Sequence, residues 1–279
     1  MEIIQSAQNP LIKGVKKLQQ KKYREEKGEF LIEGIRLVEE AERAEQLEMF
    51  FYDESLWKTK RGRLLFHILK QKAGRCHQVS SEVLKVLSET QTPQGIVAVA
   101  KKKELTLSAL SGWTEGIVLI SDGIQDPGNL GAMIRTAWAA GVGALIALTG
   151  TVDPYNSKTV RSTMGGIFHV PLLTQLTWQE VYEWIRRQGY QVVAGVLNGG
   201  EDYYRNDYTG KVALIIGNEG QGLQTVVMQH VDRKVKIPLA QGAESLNAAV
   251  ACGVLLYEIV KQHEIVKQHE IVKQQSKAL

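Results

Sequence analysis

Four short runs of apolar residues in the second half of the chain constrain its fold more than any other feature. They are GIVLI (116–120), ALIAL (144–148), QVVAGVL (191–197) and VALIIG (212–217). Each run is continuous rather than alternating, which is typical of strands buried on both faces of a parallel sheet. Helical patterns lie between the runs. We therefore expect an α/β layer structure whose loops gather at the carboxyl ends of the strands, where open α/β sheets bind their ligands.

The first part of the chain also alternates between strand and helix patterns. Its predicted strands are EFLIE (29–33), MFFY (49–52), HQVS (77–80) and GIVAVA (95–100). They predict a smaller α/β domain. The polar stretch KKKELTLSALSGW (101–113) has no strong period and is typical of a linker. The predicted division is a first domain over residues 1–105, a linker over 106–115, a second domain over 116–262 and a tail over 263–279.

The tail repeats the hexapeptide EIVKQH from Glu258 and Glu264, followed by EIVKQQ from Glu270. A six-residue step turns a helix by about 600°, so successive Ile-Val pairs form no continuous stripe. The repeat is therefore a poor coiled coil. We expect a charged helical extension or disorder, without a catalytic role.

Composition excludes several classes of protein. No apolar run approaches the roughly 20 residues that a membrane helix needs, and MEIIQSAQNPLIK at the N-terminus lacks a signal-peptide core. We therefore expect a cytoplasmic protein. Its two cysteines, Cys76 and Cys252, are too few for a disulfide framework. Although Cys76 precedes His77, no further cysteine or histidine stands at a metal-ligand spacing, so no metal is expected.

The net charge of +4 is unevenly distributed. Residues 1–110 carry 20 Lys and Arg against 15 Asp and Glu, whereas the rest of the chain carries 14 against 15. One basic cluster lies on a predicted helix from Asn9 to about Lys22 and just after it. Its members are Lys13, Lys16, Lys17, Lys21, Lys22 and Arg24. A surface that binds a polyanion such as RNA and an ordinary solvated helix both fit this cluster.

The stretch SDGIQDPGNLGAMIRTAWAAG (121–141) joins an acidic, glycine-rich turn to a helix. Asn129 has the chemistry of an N-cap residue, and capping alone would explain it. Arg135 follows the core position Ile134, so it lies on the flank of the packed stripe. There it could meet a phosphate or a carboxylate, or form a surface salt bridge.

Two further polar groups follow predicted strands. IIGNEGQGL (215–223) places Glu219 in a glycine-rich turn, but its glycines are in the order GxxGxG, so the dinucleotide fingerprint GxGxxG is absent. A carboxylate there suits a sulfonium, a ribose or an arginine better than a phosphate. KIPLAQGAESLNAAVACGVLLYE (236–258) offers Ser245 or Asn247 as the cap of a closely packed helix.

A fourth stretch, YNSKTVRSTMGGIF (155–168), places Lys158 and Arg161 about one helical turn apart. Contact with RNA phosphate and a solvated helix face both fit this pair, and we favour the solvated face.

Taken together and in this order, DPGNLGAMIRTA, IIGNEGQGL and IPLAQGAESLNAAVA resemble the three motifs of the SpoU/TrmH-type RNA ribose 2′-O-methyltransferases. The resemblance covers about residues 116–260. NPLIKGVKKL, EFLIEGIRLVEEA and TQTPQGIVAVA also look like the small substrate-binding domain of that family, although this second match is softer.

The resemblance implies a trefoil-knotted, parallel-sheet methyltransferase domain after a smaller α/β domain that binds RNA. It implies that S-adenosylmethionine binds in the knot and that the chain forms a homodimer with the active site near its interface. By motif matching, the catalytic residues would be Asn129, Arg135, Glu219, Ser245 and Asn247. The cofactor-binding residues, acting largely through backbone groups, would be Gly217, Ile237 and Leu246.

The implied reaction is attack of a ribose 2′-oxygen on the methyl group of a sulfonium. Because a guanidinium does not lose its proton in a protein, we expect Arg135 to stabilise the developing alkoxide or to bind the adjacent phosphate. Glu219 would then hold Arg135 or the ribose. The group that accepts the 2′-hydroxyl proton stays open.

Similarity to members with an added basic domain favours ribosomal RNA over transfer RNA as the substrate. Two alternatives remain at this stage. One is a non-catalytic RNA-binding assembly factor with the same fold, and the other is a knotted enzyme that methylates a base nitrogen.

Overall fold

Two units, each with its own β-sheet, make up the chain. The structure is a computed structural model that describes residues 3–72, 75–110 and 116–277. The first unit comprises Met1–Glu104 together with Asp153–His169, and the second comprises Leu105–Val152 and Val170–Leu279. Helices and strands are numbered below along the whole chain.

The first unit is built on a four-stranded mixed sheet. Its strands are β1 (Glu29–Glu33), β2 (Leu47–Tyr52), β3 (Cys76–Gln78) and β4 (Ile96–Lys101). The order in the sheet is β1-β4-β2-β3. Strand β4 runs antiparallel to both of its neighbours, β1 and β2. Strand β3 runs parallel to β2. The helices of this unit are α1 (Pro10–Lys16), α2 (Lys21–Lys27), α3 (Ile35–Arg43), α4 (Lys60–Lys72), α5 (Ser81–Leu87) and α7 (Ser157–Ser162).

The basic N-terminal helix predicted to reach Lys22 is interrupted. After α1 the chain forms a short 3-10 turn (Lys17–Gln19), and Gln20 is extended, with φ −99° and ψ 135°. The guanidinium of Arg24 donates hydrogen bonds to the carbonyl oxygens of Leu18 and Gln19, at 2.9 and 2.8 Å. Arg24 thus satisfies carbonyls that a helix end leaves unpaired, which stabilises the break.

The segment Asp153–His169 is held on the first unit by buried groups. Arg24 is 5% exposed and donates to Asp153 Oδ2 at 2.5 Å. The ring of Phe30 lies 4.9 Å from that of Tyr155. His169 Nε2 lies 2.8 Å from the Glu40 carboxylate. The predicted domain boundaries assign this segment to the second domain, whereas its contacts assign it to the first unit.

The second unit is a seven-stranded sheet in which every described strand pair is parallel. Its strands are β5 (Ile117–Asp122), β6 (Ala144–Leu148), β7 (Leu172–Leu176), β8 (Gln191–Gly195), β9 (Glu201–Asp202), β10 (Val212–Gly217) and β11 (Arg233–Lys236). The order is β7-β6-β5-β10-β8-β11-β9. The parallel sheet predicted from the continuous apolar runs is confirmed, because β5, β6 and β10 are almost entirely buried.

Among its described residues, the second unit has four helices: α6 (Pro127–Ala139), α8 (Trp178–Gln188), α9 (Thr225–Met228) and α10 (Ala248–Lys277). None of the described helices is long and apolar enough to cross a membrane. The described part of the predicted linker packs against the second unit, since Leu110 is buried in its core with Ile120 and Trp178. Residues 111–115 of that linker lie outside the described residues.

The hexapeptide repeat continues α10 as one helix to Lys277. Its first copy is anchored: Gln262 accepts a hydrogen bond from Tyr208 N at 2.9 Å, and His263 Nε2 lies 2.7 Å from the Tyr208 carbonyl oxygen. The repeat therefore begins as a structural part of the second unit.

Candidate functional site

The carboxyl ends of β5 and β10, which are neighbours in the sheet, bring two loops together. Asn218, directly after β10, donates from its side chain to the Gly123 carbonyl oxygen at 2.8 Å. Its Oδ1 accepts from the backbone N–H groups of Gly220 and Gln221, both at 2.9 Å. Asn218 thus fixes the loop after β10 to the loop after β5. The sequence analysis gave this residue no role.

The turn after β10 requires glycine for steric reasons. Asn218 and Gly222 exchange both backbone hydrogen bonds, and Gly222 has φ +72°. A Cβ atom at Gly217 would lie 2.5 Å from the carbonyl carbon of Gly222. Glycine at both positions therefore closes the turn tightly and points Glu219 towards the start of α6.

Glu219 accepts hydrogen bonds from three groups at the start of α6. Its Oε2 accepts from Gln125 N at 3.1 Å, and its Oε1 accepts from Asp126 N at 3.2 Å and from Asn129 Nδ2 at 2.9 Å. Arg135 is not among these partners. Of the two roles expected for Glu219, to hold Arg135 or the ribose, the first is not seen among the described residues of one chain, where both carboxylate oxygens bind groups at the start of α6.

Hydrogen bonding lowers the pKa of the Glu219 carboxyl. Partial burial is the largest single influence and acts to raise this pKa. The hydrogen bond from the Asn129 side chain and those from backbone N–H groups together outweigh burial, because they favour the charged form. Glu219 is therefore ionised at neutral pH and is a poor proton acceptor there.

A directed chain of side-chain hydrogen bonds runs from Glu219 to the start of α10. An ionised carboxylate only accepts, so Asn129 must present its amide N–H to Glu219 and its Oδ1 to Asn247. Asn247 Nδ2 donates to that Oδ1 at 2.7 Å. The Oδ1 of Asn247 then accepts from the N–H groups of Ala249 and Val250 at the start of α10. The negative charge of Glu219 at one end and the N–H groups of α10 at the other thus determine which atom donates and which accepts in each of these hydrogen bonds.

The cap of α6 is Asp126 rather than Asn129. The Asp126 side chain accepts from Asn129 N at 2.9 Å, which places Asn129 inside the first turn. The capping explanation for Asn129 is therefore wrong. Its side chain is free of that role and instead connects Glu219 to Asn247. The structure does confirm Asn247, and not Ser245, as the residue that caps α10.

A cavity of about 490 Å³ opens beside this hydrogen-bonded chain. The three predicted cofactor residues, Gly217, Ile237 and Leu246, all line it, as do Glu219, Ser245 and Asn247. Apolar side chains that include Val235 and Leu255 form much of its wall. An apolar wall with a few convergent polar groups is typical of a small-molecule site.

Arg135 lies apart from these groups. It is exposed on α6 and does not line the cavity. Six residues separate it from Asn129, which turns it about 240° away on an ideal helix. Within the described part of the chain, no hydrogen bond or ion pair holds its guanidinium. One chain therefore brings together four of the five predicted catalytic residues and leaves out Arg135.

Comparison with known proteins identifies the family. The sequence model of the SpoU rRNA Methylase family matches residues 116–257, and that of the MRM3-like substrate binding domain matches residues 9–98. The chain belongs to the SpoU rRNA Methylase family.

Curated and solved members of the family cover nearly the whole chain. The 23S rRNA (guanosine(2553)-2′-O)-methyltransferase RlmP of Bacillus subtilis is 38% identical over 261 residues, which are 93% of this chain and 99% of that protein. The AdoMet-bound rRNA methyltransferase of Sinorhizobium meliloti has a TM-score of 0.83 and 32% identity, over 93% of this chain and 97% of that one. The SpoU methyltransferase AviRb of Streptomyces viridochromogenes, in complex with AdoMet, has a TM-score of 0.81 and 30% identity, over 91% and 98%.

The basic cluster of this SpoU family member contains one structural residue. Arg24 is buried against Asp153 and the Leu18 and Gln19 carbonyls, so it cannot reach RNA and its assignment as RNA-binding is corrected. The five lysines are exposed. Lys21 pairs with Glu25 at 3.6 Å, and Lys17 lies 5.3 Å from the centre of the Tyr23 ring.

The stretch with Lys158 and Arg161 forms α7 on the first unit. Nη1 of Arg161 is buried without a hydrogen-bond partner among the described residues. Arg161 lies near Glu33 and Glu89, which line the same small cavity of about 10 Å³. Two carboxylates beside it make a phosphate site at Arg161 unfavourable.

Proposed function

We propose that this chain transfers a methyl group from S-adenosylmethionine to the ribose 2′-oxygen of a structured RNA, and that this RNA is ribosomal. One observation carries the proposal: Glu219, Ser245 and Asn247 of the family motifs line one cavity, and Asn129 forms hydrogen bonds with both Glu219 and Asn247. Family membership and relatives named as rRNA 2′-O-methyltransferases support it. A cytoplasmic location follows from a ribosomal substrate.

The cavity fits the cofactor. Its volume of about 490 Å³ lies within the range of roughly 300–1,000 Å³ of small-molecule sites. Gly217, without a side chain, exposes backbone to a ligand, and Ile237 and Leu246 offer backbone groups on the opposite loop. These two loops would belong to the trefoil knot that the family resemblance implies. When bound, S-adenosylmethionine supplies a methyl group already activated on a sulfonium.

The polar residues around the cavity divide into positioning groups and groups that meet RNA. Glu219 and Asn129 have their polar atoms bound within the protein, so they are positioning residues that set the shape of the mouth. Ser245 lines the cavity, and within the described residues its hydroxyl forms no hydrogen bond. Ser245 is therefore free to orient the ribose. Arg135 stays charged and stabilises the alkoxide that forms as the 2′-hydroxyl loses its proton.

A homodimer explains the position of Arg135. On α10, Val250 and Tyr257 are 52% and 49% exposed and one heptad apart, so they form an apolar stripe that no described residue covers. A Cβ added to Gly253, on the same helix, would lie 3.9 Å from the side chain of Thr136. The exposed Arg135 is thus next in sequence to the place where α6 and α10 meet. A second copy covering the stripe would bring Arg135 of one protomer to the cavity of its partner.

Mixing two inactive variants tests this arrangement. Arg135→Lys and Glu219→Ala are expected to be inactive alone. After subunit exchange at equal amounts, half of the dimers are mixed and each contains one intact site, so about a quarter of wild-type activity should return. Light scattering should give the mass of a dimer throughout. No recovery despite proven exchange, or a monomer, would contradict the shared site.

The five exposed lysines, Lys13, Lys16, Lys17, Lys21 and Lys22, are proposed to bind the phosphate backbone of the RNA. They lie on α1, on the 3-10 turn that follows it and at the start of α2, and are together called the α1 basic surface.

Incubation of the protein with methyl-labelled S-adenosylmethionine and either ribosomal or transfer RNA tests the reaction. After nuclease digestion, the label should appear in 2′-O-methylnucleosides from ribosomal RNA. Label in transfer RNA would show that transfer RNA is the substrate. Label on a base would exclude ribose methylation. RNA binding without methyl transfer would indicate an assembly factor.

A further inference from the structure

A second basic stretch lies in the first unit. Between Glu54 and Glu82 the sequence contains no Asp or Glu. Its positively charged residues are Lys58, Lys60, Arg61, Arg63, Lys70, Lys72 and Arg75. Its seven cations in 27 residues are about as dense as the six cations in the 22 residues between Glu2 and Glu25.

The structure turns much of this charge outward on α4. At 100° per residue, Lys60, Arg63, His67 and Lys70 lie within about 80° of one another around the helix. All four are exposed. The opposite side is buried through Leu65 and Leu69. This face of the helix thus carries three positive charges, those of Lys60, Arg63 and Lys70, together with His67.

Two other cations of the stretch are already neutralised. Arg61 forms hydrogen bonds to both oxygens of Glu39, and Arg75 pairs with Glu48. By contrast, no carboxylate within the described residues pairs with Lys58, Lys60 or Lys70. Arg63 donates only to the Trp57 carbonyl oxygen, at 2.5 Å, and keeps an uncompensated charge. The face is therefore available to an external polyanion.

The α4 face and the α1 basic surface lie over opposite faces of one sheet. Ile12 and Val15 of α1 pack in a cluster with Phe51. The next residue of β2, Tyr52, points to the other face, where its ring lies 4.7 Å from that of Phe66 on α4. The two basic surfaces cannot bind the same few phosphates.

We propose that Lys58, Lys60, Arg63 and Lys70 form a second RNA-binding surface, called the α4 basic surface, which contacts the phosphate backbone of a different segment of the same RNA. The inference rests on the proposed RNA substrate. It extends that function by requiring a structured RNA that reaches both faces of the first unit. Exposed cations that no carboxylate among the described residues neutralises suit a phosphate backbone, whose charge repeats regularly whatever its sequence.

Three matched double variants test the α4 basic surface, each removing two positive charges. They are Lys60→Gln/Lys70→Gln on α4, Lys13→Gln/Lys17→Gln on the α1 basic surface, and Arg186→Gln/Arg187→Gln on the exposed side of α8. The α8 variant is the control for net charge, since Arg186 already pairs with Asp232 at 3.3 Å. Affinity for deproteinised 23S rRNA is measured without cofactor, from about 50 to 200 mM salt. Thermal unfolding verifies that each variant is folded.

Because each lost phosphate contact reduces the slope of log affinity against log salt by about 0.7–0.9, the α4 variant should lose between about 1 and 2 units. The α1 variant should lose a similar amount, and combining the two should roughly double the loss. A slope equal to that of the α8 control would overturn the inference. The inference would also be overturned if the α4 variant bound RNA normally but no longer bound polyglutamate, because the α4 basic surface would then bind an acidic protein instead of RNA. Binding is measured without methyl transfer, so an inactive wild type would refute the proposed reaction and leave this test intact.

Discussion

Replacing Asn129 by aspartate changes one group in the chain that joins Glu219 to α10. The substitution exchanges the amide N–H that lies 2.9 Å from Glu219 Oε1 for a charged oxygen. The lost hydrogen bond to a carboxylate is worth about 1.5–3 kcal/mol. Two fixed charges at this separation would repel by about 6 kcal/mol at an effective dielectric constant of about 20, but exposed carboxylates move apart or share a proton. We therefore expect the substitution to destabilise the arrangement of Glu219, Asn129 and Asn247 by about 2–3 kcal/mol.

This cost should appear in methyl transfer as a fall in kcat/KM of roughly 30- to 150-fold. Asn129→Ala is the control, because it removes the hydrogen bonds to Glu219 and from Asn247 without adding charge, so a loss of at least roughly tenfold that does not vary with pH is expected. The introduced carboxylate and that of Glu219 would together bind a proton more readily than either group alone. The defect of Asn129→Asp should therefore shrink as pH falls from about 8 to about 6, a range in which wild-type Glu219 stays ionised. A pH-independent defect in Asn129→Asp, or an equally pH-dependent defect in Asn129→Ala, would refute the positioning role.

Three other outcomes follow from the geometry. Arg135→Lys should abolish methyl transfer while the affinity for S-adenosylmethionine, measured by calorimetry, stays nearly unchanged; retained turnover would contradict its role. Arg24→Gln should reduce the free energy of unfolding by about 3 kcal/mol in chemical denaturation, because it leaves Asp153 and two carbonyls without their buried partner, and the salt dependence of RNA binding should not change. Burial raises the pKa of the Cys252 thiol to about 12, so alkylation of Cys252 at pH 8 should require unfolding, and rapid labelling of the native protein would be inconsistent with this burial.

Local sequence patterns predicted most of the helices and strands, because the spacing of apolar residues reflects which positions are buried. The continuous run VALIIG, for example, became the central strand β10, buried between β5 and β8. Strand β7 was missed, since only its first two residues, Leu172 and Leu173, are buried. The break at Gln20 was also missed. It depends on Arg24, whose other partner, Asp153, is 129 positions away in sequence.

The sequence predicted which residues belong to the site, but not which of them form hydrogen bonds with one another. Motif resemblance pointed to Asn129, Glu219 and Asn247, yet their order of contact depends on which residue caps α6. Both Asp126 and Asn129 have capping chemistry, and only the backbone geometry decides between them. Asn218 escaped notice because its partners are backbone groups, which leave no signature in the sequence. The isolation of Arg135 could not be read from the sequence, since helical spacing does not say which groups of other segments lie beside that flank of α6.

The central claim is that the methyl group reaches a ribose 2′-oxygen. Alkali tests it directly, because hydrolysis of RNA requires a free 2′-hydroxyl to attack the adjacent phosphate. After transfer of labelled methyl to ribosomal RNA and complete alkaline hydrolysis, the account predicts that the label is recovered in alkali-resistant dinucleotides. Label recovered in mononucleotides would place the methyl group on a base and contradict the account.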